Sequence, residues 1–265
     1  MRARCCAGTG RPDDAARHLD SAARPDARAA PLGTFPEVLA RGLPGAPVIA
    51  LDLAGNGALH QERSAANIPA LAQACRAALR RSGMAPPYHL LAMSMGAMVA
   101  VSWASAHPQE VAAAVLINTS LRPFSPLHHR LRPAAAARLL RLLLTRPDAL
   151  ATEQIVLQLT SHAPQHGLEK AQEWAAYRHE RPVSRSNALR QLWAAARFRA
   201  PLDKPSPPLL VLTSATDELV DTRCSLRLAH AWRCAMASHP WAGHDLPLDD
   251  APWVVAQLHD WLARG

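Results

Sequence analysis

Lysine is nearly absent from this 265-residue chain. Lys170 and Lys204 are the only two, although Lys and Arg together number 29. The formal net charge of +8 therefore rests on arginines scattered through Ala-, Pro- and Leu-rich sequence, with no block of five or six. A nucleic-acid binder or a polybasic anchor would gather its charge on one face or in one run, so the scatter argues against both. Aromatics are scarce, at 5%, which leaves aliphatic side chains to fill the core. The five cysteines (Cys5, Cys6, Cys75, Cys224 and Cys234) form no C-x-x-C pair, and their odd number argues against a disulfide framework. No apolar run reaches the roughly 18–20 residues of a bilayer span, and the first residues lack the apolar core of a signal peptide. The histidines show no H-E-x-x-H or related ligand spacing, and no glycine-rich phosphate loop occurs. These absences lead to the expectation of a reduced, cytoplasmic protein with no metal, no cofactor, no nucleic-acid partner and no stable membrane insertion.

What is present is a core. Hydrophobic residues make up 49% of the chain, enough for one large α/β domain or a domain with an insert. Residues 1–31 are the exception. Apart from Met1, Leu19 is their only Leu, Ile, Val, Met or Phe, so the segment reads as atypical, either disordered or a weak helix, and unable to supply a buried strand. From Leu32 the pattern changes. Thr34 to Leu43 predicts a short helix, and Ala46 to Leu53 a buried strand followed by a Gly55-Asn56-Gly57 turn. Ala65 to Ser82 predicts a helix with an apolar stripe. Tyr88 to Met93, Ala113 to Asn118, Pro207 to Ser214 and Ala235 to His239 predict further strands. Helices are expected over Met95 to Ala106, through much of Leu131 to Arg199, over Leu226 to Trp232 and over Ala251 to Ala263. Strands alternating with helices predict a mainly parallel sheet covered on both faces.

One hydroxyl stands out. Ser94, in LLAMSMGAMVA, falls between a predicted strand and a predicted helix, with small residues two positions either side, Ala92 and Gly96. A sharp strand-to-helix turn needs small neighbours, and A-x-S-x-G matches a nucleophile elbow with Ala for the first Gly. Such a serine needs a base, and the base an orienting acid. Asp217 follows the strand PPLLVLTS, and His244 follows the last strand 27 residues later. The order Ser, acid, His fits, and each residue lies just past a strand's carboxyl end, where open α/β sheets bind ligands. Asp221 is the rival acid; Glu218 points elsewhere. Asp217 is preferred as nearer the strand end. Taken singly, an Asp after a strand is a turn or cap residue and a lone His is structural; the functional reading rests on the three together.

The motifs L-D-L-A-G-N-G (51–57), A-M-S-M-G (92–96), T-S-A-T-D-E-L-V (213–220) and A-G-H-D (242–245) together resemble the α/β-hydrolase superfamily over Phe35 to Leu262. The chain looks closest to small bacterial esterase-like members with a helical cap. The resemblance implies an α/β-hydrolase core over 32–120 and 206–265, helices on both faces of the sheet, and a cap or lid over 121–205. It implies Ser94 as nucleophile, His244 as general base and acid, Asp217 as its orienter and the Met95 amide as an oxyanion donor. The implied activity is cleavage of a small carboxylic ester with an apolar acyl part, through an acyl-enzyme. An acyltransferase or thioesterase on the same triad is the alternative. So is a non-catalytic protein, because the family's central strand and second oxyanion donor should precede residue 32 and no such pattern occurs there. The N-terminal strands are accordingly expected to be missing, and residues 1–31 to differ from the family's ordinary start. The arginine–leucine stretch LRPAAAARLLRLLLTR (131–146) reads either as a solvent-facing amphipathic helix or as a lid lining an acyl pocket.

Overall fold

A computed structural model of the chain describes residues 4–9, 33–163 and 167–264; over 4–9 it describes the backbone alone. Among these residues the elements run β1 (Arg4–Thr9), α1 (Phe35–Gly42), β2 (Ile49–Asp52), α2 (Ile68–Arg81), β3 (Tyr88–Met93), α3 (Met95–Ala106), β4 (Val111–Ile117), α4 (Leu127–Arg130), α5 (Pro133–Thr145), α6 (Ala149–Thr160), α7 (Leu168–Glu180), α8 (Arg185–Arg197), β5 (Leu209–Ser214), α9 (Arg223–Trp232), β6 (Ala235–His239), α10 (Leu246–Asp249) and α11 (Ala251–Leu262). The six strands form one sheet in the order β2-β1-β3-β4-β5-β6. β3 through β6 pair in parallel, whereas β1 is antiparallel to both its neighbours. This is a mainly parallel sheet with helices on both faces.

Strand side chains alternate between those faces. Along β4, Ala114 and Leu116 enter the cluster shared with α2, α3 and α9, while Val115 and Ile117 enter the one shared with α1 and α11. β5 repeats the pattern, with Leu209 and Val211 on the first side and Leu210 and Leu212 on the second. A strand buried on both faces reads as a continuous apolar run, which is why VAAAVLI and LLVLTS look as they do. The helices show their burial in sequence too. In α2 the buried residues are Ile68, Leu71, Ala72, Cys75 and Leu79, one helical stripe, and the Asn67 side chain caps its start by accepting from the Ala70 amide at 2.8 Å. α3 is apolar nearly all round and buried nearly all round.

The fold departs from the sequence expectation at the N-terminus. A strand-free start and a missing central strand were the expectations for residues 1–31. The Arg4–Thr9 backbone instead forms β1 and bonds on both edges, opposite Ile49–Asp52 on one side and Tyr88–Ala92 on the other. The physical reason is that ladder bonds are made by backbone groups, so a strand without large apolar residues can still fill a position whose neighbours offer two open edges. Residues 1–3 and 10–32 lie outside the described residues, and with them the remaining expectations of disorder and missing N-terminal strands. Helices α4 to α8 occupy the excursion between β4 and β5, within the span 121–205. No described helix is long and apolar enough to cross a membrane.

A buried ionic cluster ties α2 and α3 to the start of β4. The Glu110 carboxylate accepts from Arg76 at 2.6 and 2.7 Å, from Arg80 at 2.6 Å and from the Trp103 indole at 3.0 Å. The hydrogen bond from Arg76, helped by those from Trp103 and Arg80, outweighs burial and holds this carboxyl at about 2, against the ordinary 4.5. A carboxyl held down in the folded state adds stability that is present above 4.5 and lost as pH falls towards 2. Glu110→Gln should therefore lower unfolding stability at pH 7 by about 2–3 kcal/mol, with the gap to wild type closing progressively below pH 4.5. Urea unfolding of both proteins across that range measures it.

Candidate active site

Ser94 is the single residue between β3 and α3, and its backbone lies at φ 53°, ψ −120°. A positive φ on a residue with a Cβ costs about 1–3 kcal/mol and persists only where the surroundings over-determine it. They do so here. The Ser94 amide donates to the Ile117 carbonyl at 2.8 Å, and its own carbonyl accepts from the Thr119 hydroxyl and the Ala97 amide, both at 3.1 Å. Ala92 and Gly96, the small neighbours, are both buried. The next amide, Met95, opens α3, so its N–H has no acceptor within the helix and sits at the positive end of the helix dipole.

Asp217 and His244 meet in the interior. Nδ1 of His244 lies 2.7 Å from Oδ2 of Asp217, and both side chains are almost wholly buried. The other carboxylate oxygen, Oδ1, accepts from the amides of Leu219 at 2.8 Å and Val220 at 2.9 Å. The turn that follows β5 thus fixes the aspartate from below while one oxygen faces the imidazole. Burial disfavours the imidazolium, but the charge of Asp217, its hydrogen bond and the nearby Asp245 overcome it, and the His244 pKa is raised above 6.5. Asp221 is occupied elsewhere. It pairs with Arg223 at 2.6 Å, lies 4.0 Å from Arg132, and is held well below the usual carboxylate range, chiefly by the Arg223 hydrogen bond. Glu218 is half-exposed, within 3.8 Å of Arg138 and 3.9 Å of His162.

The Ser94 hydroxyl forms no hydrogen bond among the described residues. Its link to His244 runs through backbone. Asn118, the residue after β4, donates from Nδ2 to the carbonyl of His244 at 2.8 Å, to that of Gly243 at 3.3 Å and to the Ser214 hydroxyl at 3.0 Å. Its Oδ1 accepts from the Ser214 amide at 2.8 Å. On the far side, the Asp249 carboxylate accepts from the Gly243 amide at 2.7 Å, the His162 amide at 2.9 Å and the Ser161 hydroxyl, while the Asp245 amide donates to the Thr160 carbonyl at 2.6 Å. The end of α6 is therefore fastened directly to the loop that carries His244. The sequence expectations missed Asn118, Thr119 and Asp249. The available signal was polar residues standing directly after an apolar strand and a histidine loop, where a buried amide or carboxylate must find partners.

The second oxyanion donor, expected to be missing, belongs to the segment before residue 32, which apart from the β1 backbone lies outside the described residues. Among the described residues, no three or more His, Cys, Asp or Glu side chains form a group able to hold a metal.

The profile of the α/β hydrolase fold family matches residues 29–251, most of the chain, and the chain belongs to that family. The fold is similar to a thermophilic esterase from Thermogutta terrifontis (TM-score 0.67, 18% identity, covering 91% of this chain and 87% of that one). It is similar to the esterase RhEst1 from Rhodococcus sp. ECU1013 (TM-score 0.67, 19% identity, covering 88% and 86%). A protein assigned as a non-heme bromoperoxidase, BpoC of Mycobacterium tuberculosis H37Rv, matches with a TM-score of 0.61 at 19% identity, covering 83% and 81%. None of the curated proteins matches the chain. Family membership supports hydrolysis as the general activity.

The His244–Asp217 contact makes a protonation prediction. Two of the three influences that raise the His244 pKa come from Asp217, so Asp217→Asn should lower it, leaving only the charge of Asp245 to oppose burial. Histidine NMR titration of wild type and variant, with the signal assigned by His244→Gln, measures the shift.

Proposed function

We propose that the chain is a serine hydrolase that cleaves a carboxylic ester through an acyl-enzyme. The observation that carries this reading is the buried His244–Asp217 pair on the same sheet rim as a serine held at positive φ between strand and helix. In the proposed cycle Nε2 of His244 takes the Ser94 proton as Oγ attacks the ester carbonyl carbon. The oxyanion faces the Met95 amide, and the imidazolium is stabilised by Asp217. His244 then returns the proton to the departing alkoxide, leaving an acyl-Ser94. Water, deprotonated by the same imidazole, attacks the acyl carbon, and the acid leaves as Ser94 regains its proton. Each fixed donor or charge is worth most where water is excluded, and one oxyanion amide alone is worth about 10²–10³ in rate.

In this reading the segment 121–205 is a cap, and the 131–146 stretch lies over the space for an apolar acyl group. The segment read as a cap meets the loop carrying the proposed base at Thr160–His162. Whether water, a thioester's leaving group or a second alcohol takes part is decided by the substrate and not by the triad. A thioesterase or acyltransferase would use the same three side chains.

The experiment is hydrolysis of p-nitrophenyl acetate and butyrate by wild type, Ser94→Ala and His244→Gln. Each variant should lose at least ~10³-fold in kcat, and butyrate should be preferred over acetate. Equal rates for wild type and Ser94→Ala would remove the serine from the chemistry and leave a hydrolase-like protein without this activity.

A further inference from the structure

Three consecutive residues at the carboxyl end of β4 hold both halves of the proposed catalytic pair. Ile117 holds the Ser94 amide and Thr119 the Ser94 carbonyl, while Asn118, between them, holds the His244 carbonyl. Asn118 is 1% exposed and lies at φ 45°. Asparagine is among the few residues that tolerate that backbone. Its amide continues the β4–β5 ladder by donating to Leu212 at 3.0 Å. The side chain is saturated: Oδ1 takes the Ser214 amide, and the two N–H groups of Nδ2 are shared among Ser214 Oγ and the carbonyls of Gly243 and His244. Among the described residues, no other polar side chain joins the β4–β5 rim to the backbone of His244 itself.

We infer that Asn118 is a positioning residue for the proposed hydrolysis, setting where the His244 imidazole stands relative to the Ser94 hydroxyl. The inference rests on the reading of Ser94 and His244 as nucleophile and base. It follows from what remains when the carboxamide is removed. Asp217 still holds Nδ1 of the ring and fixes its tautomer, but the carbonyl of His244 loses its donor and the loop keeps its anchors at Asp249 and Thr160 and, upstream of Gly243, at Thr216 and His239. Those anchors come from α10, the end of α6, the turn after β5 and the end of β6, not from β4, whose carboxyl end holds the Ser94 backbone. The distance between base and nucleophile is then set through a longer path. A misplacement of about 1 Å is enough to cost on the order of 10²-fold in rate, while substrate contacts made elsewhere are untouched.

Asn118→Gly and Asn118→Asp test this. Glycine is at home at positive φ, so it deletes the carboxamide without straining the backbone. Aspartate keeps an acceptor for the Ser214 amide but turns a carboxylate oxygen towards two carbonyls. Both are compared with wild type and Ser94→Ala, by kcat and KM on p-nitrophenyl butyrate and by the rate constant of fluorophosphonate labelling. The rate constant is read on molecules that label, so an unfolded fraction does not enter it. The expected result is a fall of at least tenfold in kcat and labelling rate for both variants, aspartate no better than glycine, with KM within about twofold of wild type. A fall smaller than tenfold, or an aspartate variant restored to wild-type rate, overturns the inference. A wild type that neither labels nor exceeds Ser94→Ala overturns the hydrolase reading instead, and the two failures are thereby distinct.

Discussion

The carboxyl end of β4 is the joint on which the rest of the site depends. Ser94 follows β3, Asp217 follows β5 and His244 follows β6, so the proposed catalytic groups are spread over three strands that do not all touch. β4 lies between β3 and β5, and the tripeptide Ile117-Asn118-Thr119 reaches in both directions. Parallel strands place all their carboxyl ends on one rim, which explains why residues 25 and 126 positions distant in sequence bond to one short segment.

Strain and burial are coupled at this rim. Ser94 sits in a backbone region that costs free energy, and two bonds from the β4 loop keep it there. His244 and Asp217 are buried, which by itself would keep the imidazole neutral, yet the paired carboxylate raises its affinity for a proton. In the proposed cycle a base in that balance is neutral above its raised pKa and accepts the serine proton, and the imidazolium it becomes is stabilised by the same carboxylate. The arrangement suits a cycle in which the imidazole takes and returns a proton twice.

Much of this was legible in the sequence where punctuation is sharp. Tyr88–Met93 and Met95–Ala106 fall where the pattern puts them, because an apolar strand, a small-residue turn and an apolar helix closed by His107-Pro108 leave little freedom. β2 is shorter than Ala46 to Leu53, since ladder pairing covers only Ile49–Asp52. β1 was not legible, because its place is set by backbone pairing with β2 and β3, which no apolar run in the sequence announces. The order Ser94, Asp217, His244 could be read from strand ends, and Asp217 rather than Asp221 is the acid in contact with the imidazole. Asn118 and Asp249 could not be assigned, because their partners are fixed only once the chain has folded. A buried amide announces that it needs partners, but not which ones.

The most direct test of the account is a crystal structure of the protein after reaction with a fluorophosphonate. The account predicts phosphorus bonded to Ser94 Oγ, one phosphoryl oxygen against the Met95 amide, and Nε2 of His244 within about 2.6–3.2 Å of Oγ. An adduct on another residue, or an imidazole turned out of reach of a modified Ser94, would contradict it.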